Sequence, residues 1–371
     1  MALTARRIVV ALLVALTLLA LAFNTWVGAQ GRALVVLSTT IETPVLTWLA
    51  RAVTREPHVR EDVVAGMPTT VVAPGGDGPW PAVVFANGAT RRGRHHPDVQ
   101  RLARGLARAG YLAYVPDLPG LPLGEITPRT VEALVGVADA AARSGDSRGD
   151  RVGFAGVSVG ASLALLAAED ARLRGRIRAI VGIAPYARMR QVVKLATTET
   201  GPTGPYDVEA YLALAVARSL VAALEPAPPR DRLLRALERV DDSGAEPLRL
   251  LDAWQPAGEE LGAVVALLRN RDPRRFDDLY SRLPPRLRDG NAALSPLWRA
   301  RRISARVELA SAQTDIYFPL AESRALVRAL PDARLTPTAT LDHAIPRPTP
   351  RDLRDLLAFD AWVVRSLRAL R

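Results

Sequence analysis

The sequence predicts an α/β protein with a mostly parallel, twisted sheet and helices on both faces. From residue 63 to residue 183, short apolar runs alternate with segments whose apolar residues recur at helical spacing. The runs are apolar almost throughout, which is typical of parallel strands that are covered by helices on both sides. The predicted strands of this part are Val71–Ala73, Pro81–Ala86, Tyr111–Val115, Arg151–Ala155 and Ile177–Ile183.

Helices are predicted between these strands, and the same alternation returns near the end of the chain. The predicted helices are Pro97–Ala109, a helix that starts at Thr127-Pro128, Ser158–Ala168 and Arg351–Leu370. The later strands are Arg306–Ala310 and Arg334–Thr340. Residues 63–187 and 304–371 are therefore predicted to form one core domain.

Between these two parts, residues 188–303 predict a helical insertion. Proline-rich breaks separate helical patterns there, and no convincing strand occurs. Its large apolar side chains could line a binding site or form the insertion's own core. They are Tyr206, Tyr211, Leu212, Leu214, Leu220, Trp254, Leu267, Leu268, Phe276, Tyr280 and Trp298.

The N-terminus carries a membrane-targeting pattern. Arg6 and Arg7 precede an apolar stretch over residues 8–28, which is long enough to span a bilayer as a single anchor. Alternatively, Val27-Gly28-Ala29 is a small-residue cleavage site, so residues 1–29 are an anchor or a signal peptide. The positive-inside tendency keeps the two arginines in the cytoplasm and exports the rest. Residues 30–62 are predicted to be an amphipathic linker that lies on the membrane or on the domain.

Composition excludes several classes of protein. The chain has 371 residues and no cysteine, which excludes a disulfide scaffold, a cysteine zinc site and a thiol nucleophile. Its net charge is +11, but the arginines are scattered rather than gathered into a basic patch. No nucleic-acid partner is therefore predicted. No metal-ligand cluster is visible, and no metal or organic cofactor is expected.

Residues 156–160 read Gly-Val-Ser-Val-Gly, with a predicted strand before them and an Ala/Leu-rich helix after them. This strand–turn–helix context is what gives a G-x-S-x-G motif its meaning, because Ser158 then sits on a sharp turn above the sheet. The glycines Gly153, Gly156 and Gly160 also allow a dinucleotide-binding interpretation. Their spacing is GxxGxxxG rather than GxGxxG, which disfavours it.

A nucleophilic serine needs a base, and the base needs an orienting acid. His343 lies after the last predicted strand and is the candidate base. Asp315 is the first carboxylate after the strand Arg306–Ala310 and is the candidate acid. Glu322 is the reserve acid. Asp342 is interpreted as a loop residue, because its neighbouring position makes contact with the His343 ring awkward.

An oxyanion hole needs two N–H donors. Val159 follows the nucleophile directly and is one candidate. Ala89, in the Asn87-Gly88-Ala89-Thr90 loop after a strand, is the other, and Asn87 and Thr90 are candidate substrate-binding residues. The loop continues with three arginines and two histidines, which could bind an anion but are better interpreted as solvated: Arg91, Arg92, Arg94, His95 and His96.

Together, Asn87-Gly88-Ala89, the 156–160 motif, Asp315 and His343 resemble the α/β-hydrolase superfamily. The segments 83–88 and 114–119 are similar to its dienelactone-hydrolase-like branch of serine esterases and peptidases. The resemblance implies an α/β-hydrolase fold with the insertion as a cap after the sixth strand. Two departures matter: dienelactone hydrolases use a cysteine nucleophile, and the usual His-Gly before the oxyanion loop is Asn87-Gly88 here.

The function predicted from these residues is a serine hydrolase that cleaves carboxylic esters through an acyl-enzyme. The apolar cap and the N-terminal segment suggest a hydrophobic substrate at the membrane. The expected location is the cell membrane, single-pass with the catalytic domain outside the cytoplasm, or outside the cell if the segment is cleaved. Alternatives are an acyl-peptide or short-peptide peptidase, an acyltransferase, and an inactive membrane-anchored binding protein.

Overall fold

An eight-stranded sheet forms the centre of the computed structural model, which describes residues 27–41, 44–241, 247–346 and 353–371. Its strands are β1 (His58–Val64), β2 (Met67–Ala73), β3 (Trp80–Ala86), β4 (Leu112–Pro116), β5 (Ser147–Val157), β6 (Ile177–Ile183), β9 (Arg306–Ala312) and β10 (Ala333–Thr338). Two short hairpins add β7 (Thr200–Gly201) with β8 (Gly204–Pro205), and β11 (Leu341–Asp342) with β12 (Ile345–Pro346).

The strand order across the sheet is β1-β2-β4-β3-β5-β6-β9-β10. Strand β2 runs antiparallel to both of its neighbours, and all other pairs are parallel. The carboxyl ends of β3, β5, β6 and β9 therefore meet at one edge of the sheet. Loops that leave these strands can bring side chains distant in sequence to a common place.

Helices cover both faces of the sheet. In chain order the helices are α1 (residues 27–41), α2 (Pro44–Val53), α3 (Pro97–Arg108), α4 (Pro128–Arg143), α5 (Val159–Ala168), α6 (Met189–Thr198), α7 (Ala210–Ala222), α8 (Pro228–Arg239), α9 (Pro247–Ala253), α10 (Glu259–Leu268), α11 (Phe276–Ser281), α12 (Pro285–Ala293), α13 (Leu320–Ala329) and α14 (Leu353–Leu370). Helices α4, α5 and α13 share one core with the sheet, and α1, α3 and α14 share the other. The prediction of a mostly parallel sheet between two helical layers is confirmed.

The two sheet faces carry side chains of different size. Adjacent strand residues point to opposite faces, so Val84 joins the α4–α5 core while Val83 and Phe85 join the α1–α3–α14 core. On the second face, the strands contribute many small side chains: Ala113, Ala155, Ala179, Ala310 and Ala312. This face therefore leaves more room between the sheet and its helices.

The first strand lies inside the segment that was expected to be a linker, residues 30–62. That expectation was wrong for residues 58–62, which belong to β1. Strand β1 is exposed along nearly its whole length and reads His-Val-Arg-Glu-Asp-Val-Val. It has no apolar run because it is an edge strand with water on both sides, and so the pattern of a buried strand is missing.

Helix α1 is also part of the domain. Its side chains Ala29, Ala33 and Val36 are buried in the core that α3 and α14 share with the sheet. Gln30 Nε2 donates a hydrogen bond of 3.0 Å to Asp360 Oδ2 of α14. At Gly105 of α3, an added Cβ would lie 3.3 Å from the Val36 carbonyl oxygen, so the two helix backbones are in close contact.

The predicted anchor or signal segment, residues 1–29, lies outside the described residues except for its last three. Those three residues, the candidate cleavage site, lie in α1, where Ala29 is buried. Of the helices in the described ranges, none combines the length and the apolar character that crossing a bilayer requires.

The insertion between β6 and β9 contains helices α6 to α12. Its apolar side chains join the core of the α4–α5 face instead of forming a separate one; Leu214, Val264 and Phe276 are fully buried there. The expectation that it holds no strand was wrong in one detail, since β7 and β8 form a two-residue hairpin there. Pairs this short carry no periodic signal in a sequence.

The contact at Gly105 gives a test of how α1 docks. Gly105→Leu forces α1 away from α3, and the overpacking should lower the free energy of unfolding by about 1–3 kcal/mol. Gly31→Leu is the matched control, because a Cβ at Gly31 of α1 meets nothing within 4 Å. Thermal unfolding of the full chain should show a lower Tm for the first variant alone; equal Tm values would contradict this packing.

Candidate active site

Ser158 occupies a strained turn between β5 and α5. Its backbone has φ 56° and ψ −129°, a region that non-glycine residues rarely adopt. Such a conformation costs on the order of 1–3 kcal/mol and persists only where the surroundings impose it. Here the Ser158 N–H donates to the Ile183 carbonyl oxygen at 2.7 Å, which ties the turn to the end of β6.

The glycines of the motif are explained by close packing around this turn. A Cβ on Gly156 would lie 2.6 Å from Ala161 Cα, and one on Gly160 would lie 2.0 Å from the Ala86 carbonyl oxygen. A Cβ on Gly153 would lie 2.3 Å from Leu370 Cδ2 of α14. Each of the three glycines is thus explained by a close contact within the protein. The dinucleotide-binding interpretation is not needed to account for them.

His343 and Asp315 form a buried pair. His343 Nδ1 lies 2.9 Å from Asp315 Oδ1 and 2.8 Å from Oδ2. Asp315 Oδ1 also accepts the backbone N–H groups of Tyr317, at 2.7 Å, and Phe318, at 2.9 Å. A proton on Nδ1 that is donated to this carboxylate leaves Nε2 free to act as a base.

Aromatic rings enclose the histidine. The Tyr317 ring centroid lies 4.6 Å from that of His343, and the Phe318 centroid lies 5.9 Å from it. Burial, with the nearby charges of Glu209, Asp315 and Asp342, raises the pKa of Tyr317 to about 12. The Tyr317 hydroxyl is therefore neutral at ordinary pH and places no charge beside the imidazole.

The loop after β3 lies beside the serine. A Cβ added to Gly88 would lie 3.5 Å from Ser158 Cβ. The buried Asn87 side chain donates from Nδ2 to the Gly88 carbonyl oxygen at 3.1 Å, which fixes the orientation of the Gly88–Ala89 peptide. In a trans peptide the N–H points away from the carbonyl oxygen, so the Ala89 N–H faces the other side. Val159 is the first residue of α5, and its N–H has no acceptor within the helix.

One large cavity, of about 1300 Å³, joins these groups. Ser158 and His343 both line it, and Asp315 lies buried behind the histidine. The other residues predicted for the site that line the cavity are Asn87, Ala89, Thr90 and Val159. The structure thus brings the predicted residues to a single place at the carboxyl edge of the sheet.

Only some of the apolar residues proposed for the insertion reach this cavity. Tyr211, Leu212 and Leu220 line it. Leu214, Leu267, Leu268, Phe276 and Tyr280 are buried in the core instead. Trp298 is 66% exposed, so a lining role for it was wrong.

Glu322, the reserve acid, has a different structural role. It is buried, and its Oε2 accepts the backbone N–H groups of Ala187 at 3.0 Å and Arg188 at 2.9 Å. It also forms an ion pair with the Arg188 guanidinium. Glu322 therefore anchors the start of the insertion and does not contact His343 through any bond in the described structure. Asp342 lines the cavity next to the histidine.

The basic loop after the oxyanion segment is largely occupied by contacts within the protein. Arg91 donates to the carbonyl oxygens of Glu238, at 3.0 Å, and Val240, at 2.8 Å. Arg94 forms ion pairs with Glu61 and Asp117. These bonds fasten the loop to α8 and to the sheet.

No protein-family model matches this chain, and no curated protein matches it. Its structural neighbours include the dienelactone hydrolase from Anabaena variabilis ATCC 29413, which is 14% identical, with 85% of this chain and 98% of that chain covered and a TM-score of 0.46. The meta-cleavage product hydrolase from Pseudomonas fluorescens IP01 is 17% identical, with 84% and 98% covered and a TM-score of 0.44.

A third neighbour, the Pyrococcus horikoshii acylaminoacyl peptidase, is 13% identical; the match covers 87% of this chain and 42% of that chain, with a TM-score of 0.49. These neighbours are members of the α/β-hydrolase superfamily. The chain has the α/β-hydrolase fold, and its own strand order and its turn at Ser158 carry that assignment.

Two features of the site were not foreseen from the sequence. Tyr317 and Phe318 pack on His343 and donate to Asp315, and their only signal is that they follow the acid directly. The cavity also extends beneath α1, α3 and α14, which no motif indicates, because these helices are far apart in the chain.

The packing at Gly160 makes a sharp prediction. Gly160→Ala places a methyl group 2.0 Å from one backbone oxygen and 2.4 Å from another, the Asn87 carbonyl oxygen. Overpacking typically costs about 1–3 kcal/mol of unfolding free energy. The loss here should be larger, because the backbone at Ala86 and Asn87 must move. Gly262→Ala, in α10 with nothing within 4 Å, should instead stabilise by about 0.5–1 kcal/mol. Denaturant unfolding measures both; a Gly160→Ala protein as stable as wild type would refute the packing argument.

Proposed function

We propose that this chain is a serine hydrolase that cleaves carboxylic esters through an acyl-enzyme. The observation that carries the proposal is the joint placement of a strained Ser158 and the Asp315-paired His343 on one cavity. Strain at a serine on a strand-to-helix turn is the geometry of a nucleophile elbow. The chain order Ser, Asp, His is also the order of this fold's triad.

In the proposed mechanism, His343 Nε2 takes the proton of the Ser158 hydroxyl as Oγ attacks the ester carbonyl carbon. The tetrahedral oxyanion accepts the N–H groups of Val159 and Ala89, each worth roughly 3–4 kcal/mol by comparison with donor deletions in other serine hydrolases. The C–O bond to the alcohol then breaks, and the imidazolium gives its proton to the leaving oxygen. Asp315 stabilises that imidazolium. Water repeats the cycle on the acyl-enzyme and releases the acid.

The substrate is proposed to be hydrophobic. The cavity is lined mainly by apolar side chains, and helix α7 of the insertion contributes Leu212, Val216 and Leu220 to it. In this role the insertion acts as a cap over Ser158. No step of this mechanism needs a metal or an organic cofactor. An acyltransferase would share every step up to the acyl-enzyme and would differ only in the second acceptor.

The membrane is the proposed site of action. Apolar side chains are exposed on the N-terminal helices α1 and α2: Val27, Leu34 and Trp48 are between 46% and 66% exposed. They continue from the apolar segment 8–28, the proposed anchor or signal. Exposed apolar groups of this size favour a membrane surface over water. The catalytic domain would then lie outside the cytoplasm.

Active-site labelling tests the nucleophile without knowledge of the substrate. The full chain should react with a fluorophosphonate, and peptide mass should place one adduct on Ser158. Ser158→Ala and His343→Ala should each abolish labelling, whereas Ser281→Ala, at an exposed serine of α11, should leave it unchanged. Folded protein that never labels, or that labels elsewhere, would point to the inactive binding protein instead.

The roles of Asp315 and Glu322, two of the buried carboxylates, can be separated by a matched pair of variants. Asp315→Asn should lower kcat on a short ester by roughly 10⁴-fold, because the imidazole loses its orienting charge. Glu322→Gln removes the charge of another buried carboxylate, one that holds the start of the insertion. It should therefore lower the Tm, and it should lower kcat far less than Asp315→Asn does. The opposite ranking of the two kcat values would transfer the role of the acid to Glu322.

A further inference from the structure

The residues that line the cavity at Ser158 fall into two groups on opposite faces of the sheet, and the group on the α1–α3–α14 face defines what we call the second arm. Its walls are side chains of three helices that no motif connects: Val36 and Leu37 of α1, Leu106 of α3, and Trp362, Ser366 and Leu370 of α14. The floor is the sheet itself, at Ala155 and Val181. The other group, which we call the first arm, includes Leu212, Val216 and Leu220 of the insertion, and Ser158 and His343 line the same cavity.

Specific contacts hold the three helices that line the second arm together. Helix α1 covers it because Gly105 lets α1 approach α3 and because Gln30 bonds to Asp360 of α14. Because the side chain of Ala155 is small, it leaves space between the sheet and the helices. An ordinary core would fill such a space, since protein interiors are packed to crystal density.

Two hydrogen-bond donors line this arm without a partner in the described structure. Trp362 is 5% exposed and Ser366 is 3% exposed, and neither Trp362 Nε1 nor Ser366 Oγ has a hydrogen-bond acceptor. They are one helical turn apart on α14, and both line the cavity. Buried polar groups in proteins are nearly always paired, so these two donors would be satisfied by an acceptor that enters the cavity, such as a water or a ligand oxygen.

We infer that the second arm binds a long apolar chain of the substrate, and that Trp362 and Ser366 donate to an oxygen atom on that chain. The inference rests on the proposed function, since it places the scissile ester at Ser158 between the two arms. It names the substrate class: an ester with a long aliphatic chain that carries a second oxygen function. Each CH₂ that enters the arm should raise kcat/KM by roughly two- to fourfold.

Photo-crosslinking tests the arm without relying on catalysis. The full chain with Ser158→Ala is irradiated with octadecanoic acid that carries a diazirine in its chain. Adducts are expected on the tryptic peptide 355–365, which contains Trp362. Leu37→Trp, which fills the arm, should reduce this adduct at least fivefold. Leu34→Trp is the control, because Leu34 lies on the outer face of the same helix and is 52% exposed.

Kinetics of the parent chain separate this inference from the proposed function. With p-nitrophenyl esters of two to sixteen carbons, Leu37→Trp should lower kcat/KM at least tenfold for the longest esters and less than twofold for the shortest. Hydrolysis without the α14 adduct, or adducts confined to insertion peptides, would overturn the inference and leave the hydrolase. The α14 adduct without any hydrolysis would keep the binding arm and overturn the proposed function.

The polar pair has its own test. Octadecanoic acids that carry one keto group, at different carbons, compete with the photoprobe. One keto position should compete at least fivefold better than the unsubstituted acid. Trp362→Phe and Ser366→Ala, which remove only the donors, should abolish that preference. Equal competition by every acid would overturn the assignment of an oxygen to this chain.

Discussion

The close approach between the start of α5 and the end of β3 is the constraint on which the site depends. At Gly160 there is room for a hydrogen and nothing larger, because the Ala86 and Asn87 carbonyl oxygens occupy the space of a side chain. This contact holds the helix start against the loop that carries Ala89. Ser158, two residues before Gly160, has its positive φ of 56° at the same turn. One packing restriction thereby sets the nucleophile and both proposed oxyanion donors in a fixed relation.

The second half of the site depends on strand register. Because β6 and β9 are parallel neighbours, the loops after them leave the sheet at the same edge, close to the turn at Ser158. Asp315 lies on the loop after β9 and His343 on the β11–β12 hairpin after β10, 28 residues further on. Backbone N–H groups of Tyr317 and Phe318 hold the carboxylate from one side, and His343 closes it from the other. The Asp315 carboxylate is thus held in place by its own loop, and it in turn orients the His343 ring.

Much of this arrangement could be predicted from the sequence, because it is encoded locally. The buried strands are apolar runs, the motif around Ser158 sits between a strand and a helix, and Asp315 and His343 follow strands. What could not be predicted depends on contacts between distant segments. Strand β1 has no apolar run because both of its faces meet water. Glu322 resembles a catalytic acid in the sequence, and only the fold shows that it holds the backbone of Ala187 and Arg188.

Helix α1 is both a part of the core and a wall of the cavity. Its inner face, with Ala33 and Val36, is part of the core and covers one arm of the cavity, while Leu34 on its outer face meets solvent. A flexible linker at this place would leave the position of this cover undefined. A helix packed on α3 and α14 fixes it instead. A long aliphatic chain that enters this arm would be shielded from water by the inner face of α1. The cost of exposing such a chain to water, roughly 0.8 kcal/mol per CH₂, is the reason a buried arm would favour a long-chain ester over a short one.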